Sequence, residues 1–460
     1  MSLIDARADS PASSSERIVF LEPLFESATA TRWTYIMLLL GVLVTVAEGC
    51  DIAAASSAAP LLVKHFGISP KFMGLLLASG VVGMVAASYL LAPIADRIGR
   101  RPAVLAGLSM ACLGGLLCVL APSVSWLVTG RILAGAGLGL ITPAIFAIIA
   151  ETLPARLRIM GTMIASCGFV LGAALSALLA SFLTDIYGYR SSFLVACGLE
   201  LLVIGICLVL LPESPFFLVR KAIGTARVKL WLARLGTTFA DPQATLAVRR
   251  TDATESSVSA LFTQGRGTVT LVLWIATFST QSLVYLTASW MLALLVRSGE
   301  DVNAALRFVS LSSFASAFFA LGVAWLTTRL NPSHILLFGY VVLTVVALGL
   351  FSSNATLDLF HVLLAVQIIT TIAMQFCLTG VVNRYYNSAI RATGVGYAMG
   401  AGRLGALSAP LAGGYLVQQG SPIETIMGLT AVPAAIAGLS IVYLVANGKL
   451  RPEDAPTANR

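Results

Sequence analysis

Five charged side chains stand inside long apolar stretches of this sequence: Glu48, Asp51, Arg131, Glu200 and Arg403. If those stretches cross a bilayer, each charge costs about 2.5–3.5 kcal/mol on insertion scales, which makes these residues functional candidates. Glu48 and Asp51 are three positions apart and would share one helix face. Repulsion and burial there both disfavour the charged carboxylates. We expect Asp51 to be the main proton-coupling acid and Glu48 its modulator.

The two arginines suit an anionic ligand. A guanidinium stays protonated and presents a planar fork that matches a carboxylate in two hydrogen bonds. With a rise of about 1.5 Å per residue, Asp51, Arg131 and Arg403 are expected at similar depth. Two alternatives stay open: the acids could pair with Arg131 only structurally, and Arg131 could neutralise Asp51 in one conformation. Glu200 has no assigned role.

The composition predicts a membrane protein. Of 460 residues, 58% are hydrophobic and only 11% charged, with a mean hydropathy of +0.90, whereas soluble domains carry about 25% charged residues. Apolar runs of roughly 20 residues, enough to cross a bilayer, recur along the chain and must be helical in lipid. We place twelve transmembrane helices near 33–59, 71–95, 102–121, 124–150, 159–184, 190–211, 269–296, 303–328, 333–352, 358–383, 393–418 and 423–446.

The basic residues predict the topology. With alternating helices, 22 Lys and Arg fall in segments on the side of the termini and five in loops on the other side. Basic residues resist translocation, so both termini are expected in the cytoplasm. The net charge of +8 is thereby explained without a nucleic-acid partner, and membrane lipid is the expected surroundings.

The helices divide into two halves. We expect a cytoplasmic tail, a six-helix bundle, a cytoplasmic linker, a second six-helix bundle and a second tail, at 1–30, 31–211, 212–268, 269–447 and 448–460. The linker is either a simple tether or an amphipathic helix at the membrane surface. Arg158 and Gly161 align with Arg391 and Gly394 at one constant offset, and repeated halves are typical of transporters with a site between them.

Several motifs resemble those of a known family. "GMVAASYLLAPIADRIGRRP", "GRILAGAGLGLITPAIFAIIAETLPARLR" and "LPESPFFL" resemble the signatures of the major facilitator superfamily. "EGCDIAAASSAAPLL" and "RATGVGYAMGAGRLGALSAPLAGG" resemble segments of its aromatic acid:proton symporters, the benzoate and hydroxybenzoate transporters. The resemblance extends from about Trp33 to Leu444.

This resemblance implies a two-bundle fold that works by alternating access. It places a functional arginine at Arg403, which we therefore expect to bind the substrate together with Arg131. It also implies a cytoplasmic gate that closes the inner side in the outward-open state. The expected gate residues are Asp96, Arg97, Arg100, Arg101, Glu151, Arg158 and Arg391.

An aromatic substrate requires apolar and aromatic walls with a few polar groups. The candidates on the predicted helices 7, 10 and 11 are Tyr285, Trp290, Gln375 and Tyr397, beside Gln367 and Asn383. Each of these alone could equally serve helix packing.

We therefore expect a multi-pass, monomeric protein of a bacterial inner membrane that imports a small aromatic carboxylate with protons. No cofactor is expected beyond the proton, and an enzyme is not indicated because no nucleophile–base or metal set is visible. The alternatives are a symporter of another organic anion or of a sugar or polyol, a proton-driven efflux antiporter, and a transporter-like sensor.

Overall fold

The computed structural model describes residues 18–26, 28–91, 94, 97–221, 223, 225–234, 245–248, 258–263, 265–351, 357–386 and 390–448. Within these ranges the chain is almost entirely helical. The helices are α1 (Leu21–Glu26), α2 (Arg32–Phe66), α3 (Pro70–Leu90), α4 (Arg100–Val119), α5 (Val124–Thr152), α6 (Ala155–Tyr187), α7 (Arg190–Leu210), α8 (Pro215–Arg220), α9 (Thr225–Arg234), α10 (Gly267–Arg297), α11 (Val302–Leu326), α12 (Pro332–Phe351), α13 (Leu357–Tyr385), α14 (Arg391–Gln418), α15 (Ile423–Gly428) and α16 (Ala431–Ala446).

Helices α2 to α7 form an N-terminal bundle in which glycines allow close contact. A Cβ on Gly49 of α2 would lie 1.8 Å from the carbonyl oxygen of Phe169 on α6, and one on Gly172 would lie 2.0 Å from that of Val46. The two backbones therefore touch, which is how membrane helices pack where small residues permit it.

Helices α10 to α16 form a C-terminal bundle with the same plan. α10 packs on α14 as α2 packs on α6, and a Cβ on Gly405 of α14 would lie 2.2 Å from the carbonyl oxygen of Phe278 on α10. Gly405 is the counterpart of Gly172, 233 positions later.

The internal repeat is visible in single contacts. Arg158 Nε donates to the carbonyl of Leu153 at 3.1 Å, and Arg391 Nε donates to the carbonyl of Tyr386 at 3.0 Å. These pairs are also 233 positions apart. The repeat that the sequence indicates therefore corresponds to a repeated structure.

Several helix boundaries differ from the prediction: α3 ends at Leu90 rather than near 95, and the run expected at 423–446 is divided into α15 and α16. α2 continues through Pro60 to Phe66, seven residues beyond the expected end. Among the described residues eleven helices are long and apolar enough to cross a membrane. The run expected at 393–418 is helical as α14, but this glycine-rich helix is not among those eleven.

The linker folds back onto the N-terminal bundle. Ile18–Phe20 (β1) pairs in parallel with Thr245–Ala247 (β2). α9 buries Val228 and Trp231 in the same apolar cluster as Leu21. This part of the linker is thus neither an open tether nor a helix whose apolar face is free to contact lipid.

The two bundles meet where α2 ends and α3 begins, which we call the closed end. There Ser310 Oγ of α11 donates to the carbonyl of Ala174 on α6 at 2.9 Å. Asn303 Nδ2, at the start of α11, donates to Asp185 Oδ1 at 3.1 Å. Both hydrogen bonds join the first bundle to the second.

Candidate functional site

A cavity of about 140 Å³ lies between the bundles. Helices α2, α3, α5 and α6 form one side, and α10, α11 and α13 form the other. An apolar cavity of about 150 Å³ can bind benzene, so this space has the size of one aromatic ring. Its apolar lining includes Leu138, Phe169, Val284, Met291, Val309 and Ile368.

The Asp51–Arg131 pair lies at this cavity. Arg131 Nη1 donates to Asp51 Oδ2 at 3.1 Å and to the Asp51 carbonyl at 3.2 Å. Asp51 is fully buried, whereas Arg131 also forms part of the cavity lining. Gly80 of α3 makes room for the guanidinium, since a Cβ there would lie 3.0 Å from Arg131 Nη2.

The pair is satisfied only in part. Arg131 Nε is buried and has no hydrogen-bond partner among the described residues. Breaking a buried ion pair from one side costs about 3–5 kcal/mol, because it leaves the other charge uncompensated. Arg131 can therefore leave Asp51 readily only if Asp51 becomes neutral or another anion replaces it.

Glu48 faces a different environment from Asp51, although both are on α2. Its Oε1 accepts a hydrogen bond from Thr142 Oγ1 of α5 at 2.7 Å. It also interacts electrostatically with Arg403 of α14. Glu48 thus connects the first bundle to a cation of the second.

Arg403 has no acid within ion-pair distance among the described residues. The ion pairs found in that part of the chain are Arg100–Glu151, Arg131–Asp51 and His361–Glu300. Its charge interacts with Tyr285 and Tyr89 as well as Glu48. Tyr285 is part of the cavity wall. Arg403 itself is not among the residues that line the cavity, and its interaction with Tyr285 is what connects it to that wall. A guanidinium matches a carboxylate in two hydrogen bonds.

Of the four aromatic and amide candidates, only Tyr285 lines the cavity. Trp290 is buried and donates from Nε1 to the Pro410 carbonyl at 3.0 Å, which joins α10 to α14. Tyr397 stacks on Trp274 at 5.9 Å between ring centroids. Gln375 accepts the Thr379 hydroxyl on its backbone carbonyl. The structure therefore gives Trp290 and Tyr397 packing contacts, leaves the buried Gln375 Oε1 without a hydrogen-bond partner among the described residues, and places all three residues outside the cavity wall.

Glu200 is close to the Asp51–Arg131 pair, which sequence analysis did not anticipate. It interacts electrostatically with both members of the pair. Its carboxylate oxygens are buried and have no hydrogen-bond partner among the described residues. Cys112 and Cys197 lie beside it: their Sγ atoms and a carboxylate oxygen of Glu200 are all within 4.8 Å of one another. α7 packs directly on α2, so Glu200 lies in a packed helix interface next to the pair.

The expected gate residues lie at the end opposite the closed end. Arg100 Nη2 lies 3.5 Å from Glu151 Oε1, and Arg101 Nη2 donates to the Leu208 carbonyl at 2.7 Å. Arg97 is exposed, and Asp96 lies outside the described residues. Together with the Arg158 and Arg391 bonds above, these contacts connect elements of the same bundle.

Glu213 is a structural residue that sequence analysis missed. Its Oε1 accepts the backbone N–H of Arg100 at 2.9 Å and that of Arg101 at 3.4 Å. A carboxylate at a helix N-terminus stabilises the unpaired amides and the helix dipole. Gly99, at φ +111°, permits this approach, since a Cβ there would lie 2.3 Å from Glu213 Oε2. The sequence signal that could have pointed to Glu213 is the "ES" of the motif "LPESPFFL".

Comparison with known proteins identifies the family. The family model described as Major Facilitator Superfamily matches residues 41–377. The chain belongs to this superfamily. A gallate transporter of Pseudomonas putida is 30% identical over 93% of this chain and 95% of its own length. A 4-hydroxybenzoate transporter of Acinetobacter baylyi is 28% identical over 91% of this chain and 93% of its own length. A benzoate transport protein from the same organism is 24% identical over 96% of this chain and 97% of its own length.

These curated relatives are aromatic-acid transporters, so the resemblance noted from the motifs is confirmed. The chain is a multi-pass membrane transporter with bacterial relatives, and those relatives are not enzymes. Among solved structures, a D-xylose–proton symporter matches with a TM-score of 0.71 at 18% identity, over 89% of this chain and 97% of its own. A partly occluded, inward-open xylose transporter from E. coli matches with a TM-score of 0.72 at 16% identity, over 90% of this chain and 97% of its own length. These two likenesses show the fold.

Proposed function

We propose that this transporter imports a small aromatic carboxylate together with protons, by alternating access of its two bundles. The observation that carries the proposal is the buried Asp51–Arg131 ion pair at a cavity of single-ring size. A guanidinium bound to Asp51 is not available to a substrate carboxylate. Protonation of Asp51 frees Arg131, and the incoming carboxylate then neutralises the arginine.

This exchange links the proton to the substrate. An uncompensated arginine in the interior is unfavourable, so protonation without substrate is opposed, and so is substrate binding without protonation. The state that carries both ligands and the state that carries neither keep the internal charges balanced. These are the two states that a symporter must allow to reorient.

We assign the first contact of the carboxylate to Arg403, which has no ion pair with any described residue and interacts with Tyr285. Its attraction to Glu48 acts between the bundles, so a bound anion would compete with Glu48 and loosen that connection. Glu48 then modulates closure, whereas Asp51 carries the proton.

The size and the wall of the cavity favour an aromatic acid over a sugar. The lining is mostly apolar with a few polar groups, which suits a flat ring with a charged substituent. The aromatic-acid relatives support the same substrate class. The proton is the only coupling ion in this scheme, and it needs no cofactor.

The proposed topology has twelve spans, α14 included, with both termini in the cytoplasm of a bacterial cell and the protein in the inner membrane. The closed end then faces outward, and the cavity belongs to an inward-facing state. Exposed Tyr89 and Tyr397 at the opposite end support this orientation. In the outward-facing state, Asp96, Arg97, Arg101 and the Arg100–Glu151 pair would close the inner side.

The test is uptake of labelled benzoate and hydroxybenzoates into proteoliposomes, with and without an inward proton gradient. We expect accumulation that needs the gradient and is abolished by a protonophore. Asp51→Asn should lose accumulation, whereas Glu26→Gln, a control at an exposed acid in the N-terminal segment, should retain it.

Three results would overturn the proposal. Movement of a sugar or polyol without an acid would identify a different substrate class. Gradient-driven expulsion would identify an antiporter. Saturable binding of the acid without any flux would identify a sensor.

A further inference from the structure

Three groups that can ligate a metal ion meet between α4 and α7: the thiols of Cys112 and Cys197 and the carboxylate of Glu200. We call this set the thiol–carboxylate cluster. The three residues are 4%, 3% and 0% exposed, in that order. In the part of the chain that the structure describes, no other group of three His, Cys, Asp or Glu side chains brings its ligand atoms within 4.8 Å of one another.

Close packing of the two helices brings these ligands together. Cys197 and Glu200 are three positions apart on α7, so they share one face of that helix. On α4, the Cys112 carbonyl accepts from Cys197 Sγ at 3.5 Å, and Cys112 Sγ donates to the Cys197 carbonyl at 3.9 Å. Gly115 makes room for the second thiol, since a Cβ there would lie 2.6 Å from Cys197 Sγ. Both thiols therefore lie in the contact between α4 and α7.

Glu200 gives an independent indication of a ligand. Both of its carboxylate oxygens are buried and accept no hydrogen bond from any described residue. A buried polar group without a partner is unfavourable and needs an explanation. Asp51 nearby shows the usual solution, because Arg131 donates to it at 3.1 Å. Glu200 lacks a cation in contact, and the two thiols beside it are groups that would bind the same cation.

The chemistry of the cluster favours a soft divalent cation such as Zn²⁺ or Cd²⁺. Thiolates select such ions, whereas Mg²⁺ and Ca²⁺ prefer oxygen ligands. Zinc binds thiolate sulfur at about 2.3 Å and carboxylate oxygen at about 2.0–2.2 Å in a tetrahedron, which puts two ligand atoms about 3.3–3.8 Å apart. From a separation of up to 4.8 Å, a movement of about 1 Å reaches that spacing and leaves the fourth position to water.

We infer that Cys112, Cys197 and Glu200 form a binding site for a soft divalent cation, and that the bound ion lowers the affinity for the substrate. None of the three residues lines the cavity, so the ion would not block it. A divalent cation held by two thiolates and one carboxylate leaves a net negative charge. Glu200 interacts electrostatically with Arg131, so this charge would compete with a substrate carboxylate for the guanidinium. Only this effect on affinity rests on the proposed function.

The first experiment measures metal binding by the full-length protein in detergent, kept reduced and free of chelators. Cobalt(II) is the probe, because a thiolate–cobalt bond gives a near-ultraviolet charge-transfer absorption. We expect saturable binding of one ion per chain, reversed by zinc. Cys112→Ser and Cys197→Ser should each weaken binding at least about 100-fold, because one of three protein ligands is lost. Glu200→Gln should weaken binding but keep the thiolate–cobalt absorption at high cobalt.

Cys118→Ser and Cys377→Ser are the matched controls. Cys118 lies on the same helix as Cys112 but donates to the Leu127 carbonyl at 3.7 Å. Cys377 of the other bundle donates to the Pro332 carbonyl at 3.7 Å. Neither belongs to the thiol–carboxylate cluster, so both variants should bind cobalt like the parent. Zinc should raise the melting temperature of the parent and the controls but not of the cysteine variants of the cluster.

The second experiment measures proton-driven uptake of labelled 4-hydroxybenzoate into proteoliposomes, with and without zinc on both sides of the membrane. Saturating zinc should raise KM of the parent about 3- to 10-fold, because the added negative charge competes for Arg131. The maximal rate should stay within about twofold, since the cluster joins helices of one bundle and leaves the bundles free to rock. Cys112→Ser should show the same KM with and without zinc.

Two outcomes would overturn the inference. One is a parent without thiolate–cobalt absorption, or with the same absorption in the double variant Cys112→Ser/Cys197→Ser, since the ion would then bind elsewhere. The other is binding at the cluster that leaves KM unchanged, which would contradict the effect on substrate affinity. Failure of the proposed function looks different: the parent then accumulates no acid, whereas the cobalt titration still decides whether the site exists.

Discussion

The two bundles share a backbone plan but place different chemistry inside it. The N-terminal bundle encloses charge, namely the Asp51–Arg131 pair and Glu200. The C-terminal bundle holds one partly buried cation, Arg403, and its interior also contains neutral hydrogen bonds, such as that between Thr280 and Tyr340 at 2.6 Å. Duplicated helix packing has thus been kept while the interior side chains have diverged. Under the proposed function the first bundle carries the proton-binding acid Asp51 with Arg131, and the second bundle contributes Arg403 as the first contact of the substrate carboxylate.

The largest expected effect comes from Asp51→Asn. The change removes the proton-binding carboxyl and leaves Arg131 permanently available, so gradient-driven accumulation should fall at least 100-fold. Exchange of labelled for unlabelled acid, which requires no net proton movement, should persist. Accumulation at more than a tenth of the parent rate would contradict the role of Asp51, whereas loss of exchange as well would point to a defect in folding or binding.

Arg403→Ala should have the next largest effect. Charge-assisted hydrogen bonds contribute about 1.5–3 kcal/mol, so KM for the acid should rise about 10- to 150-fold. Arg403→Lys keeps the charge but loses the planar fork, and it should recover only part of the affinity. Equal KM values for Arg403→Lys and the parent would show that charge alone matters at this position.

Glu200→Gln separates the charge of Glu200 from its shape. The carboxyl interacts with Asp51 and Arg131, so its neutral isostere should shift the pH dependence of uptake and lower the maximal rate about 3- to 10-fold. The melting temperature in detergent should change little. A pH profile that superimposes on that of the parent would assign Glu200 to packing alone.

Tyr340→Phe tests the neutral interior of the second bundle. It removes the hydrogen bond to Thr280 and should lower stability by about 0.5–1.5 kcal/mol, seen as a small drop in melting temperature. Uptake should stay within twofold of the parent at every pH. A pH-dependent transport defect here would contradict the division of roles between the bundles.

Part of this site was predictable from sequence because charges in apolar helices are rare. That rarity singled out Asp51, Arg131 and Arg403, and the constant offset between Arg158 and Arg391 revealed the repeat. The pairing of Asp51 with Arg131 was open as one alternative, and the structure shows that ion pair.

The rest could not be predicted, because it depends on which helix faces touch. Glu200 had no assigned role, because the packing of α7 on α2 is not visible in the sequence. α2 continues past its expected end and through Pro60, since a proline is tolerated in a membrane helix where neighbouring groups satisfy the backbone.

The backbone contact between α2 and α6 has a mechanical consequence. With Gly49 against Phe169 and Gly172 against Val46, α2 and α6 are in backbone contact and are expected to move together. If the bundles rock as proposed, a change of charge at Asp51 would then be felt by both helices, and their displacement would be greatest at the end farthest from the contacts between the two bundles.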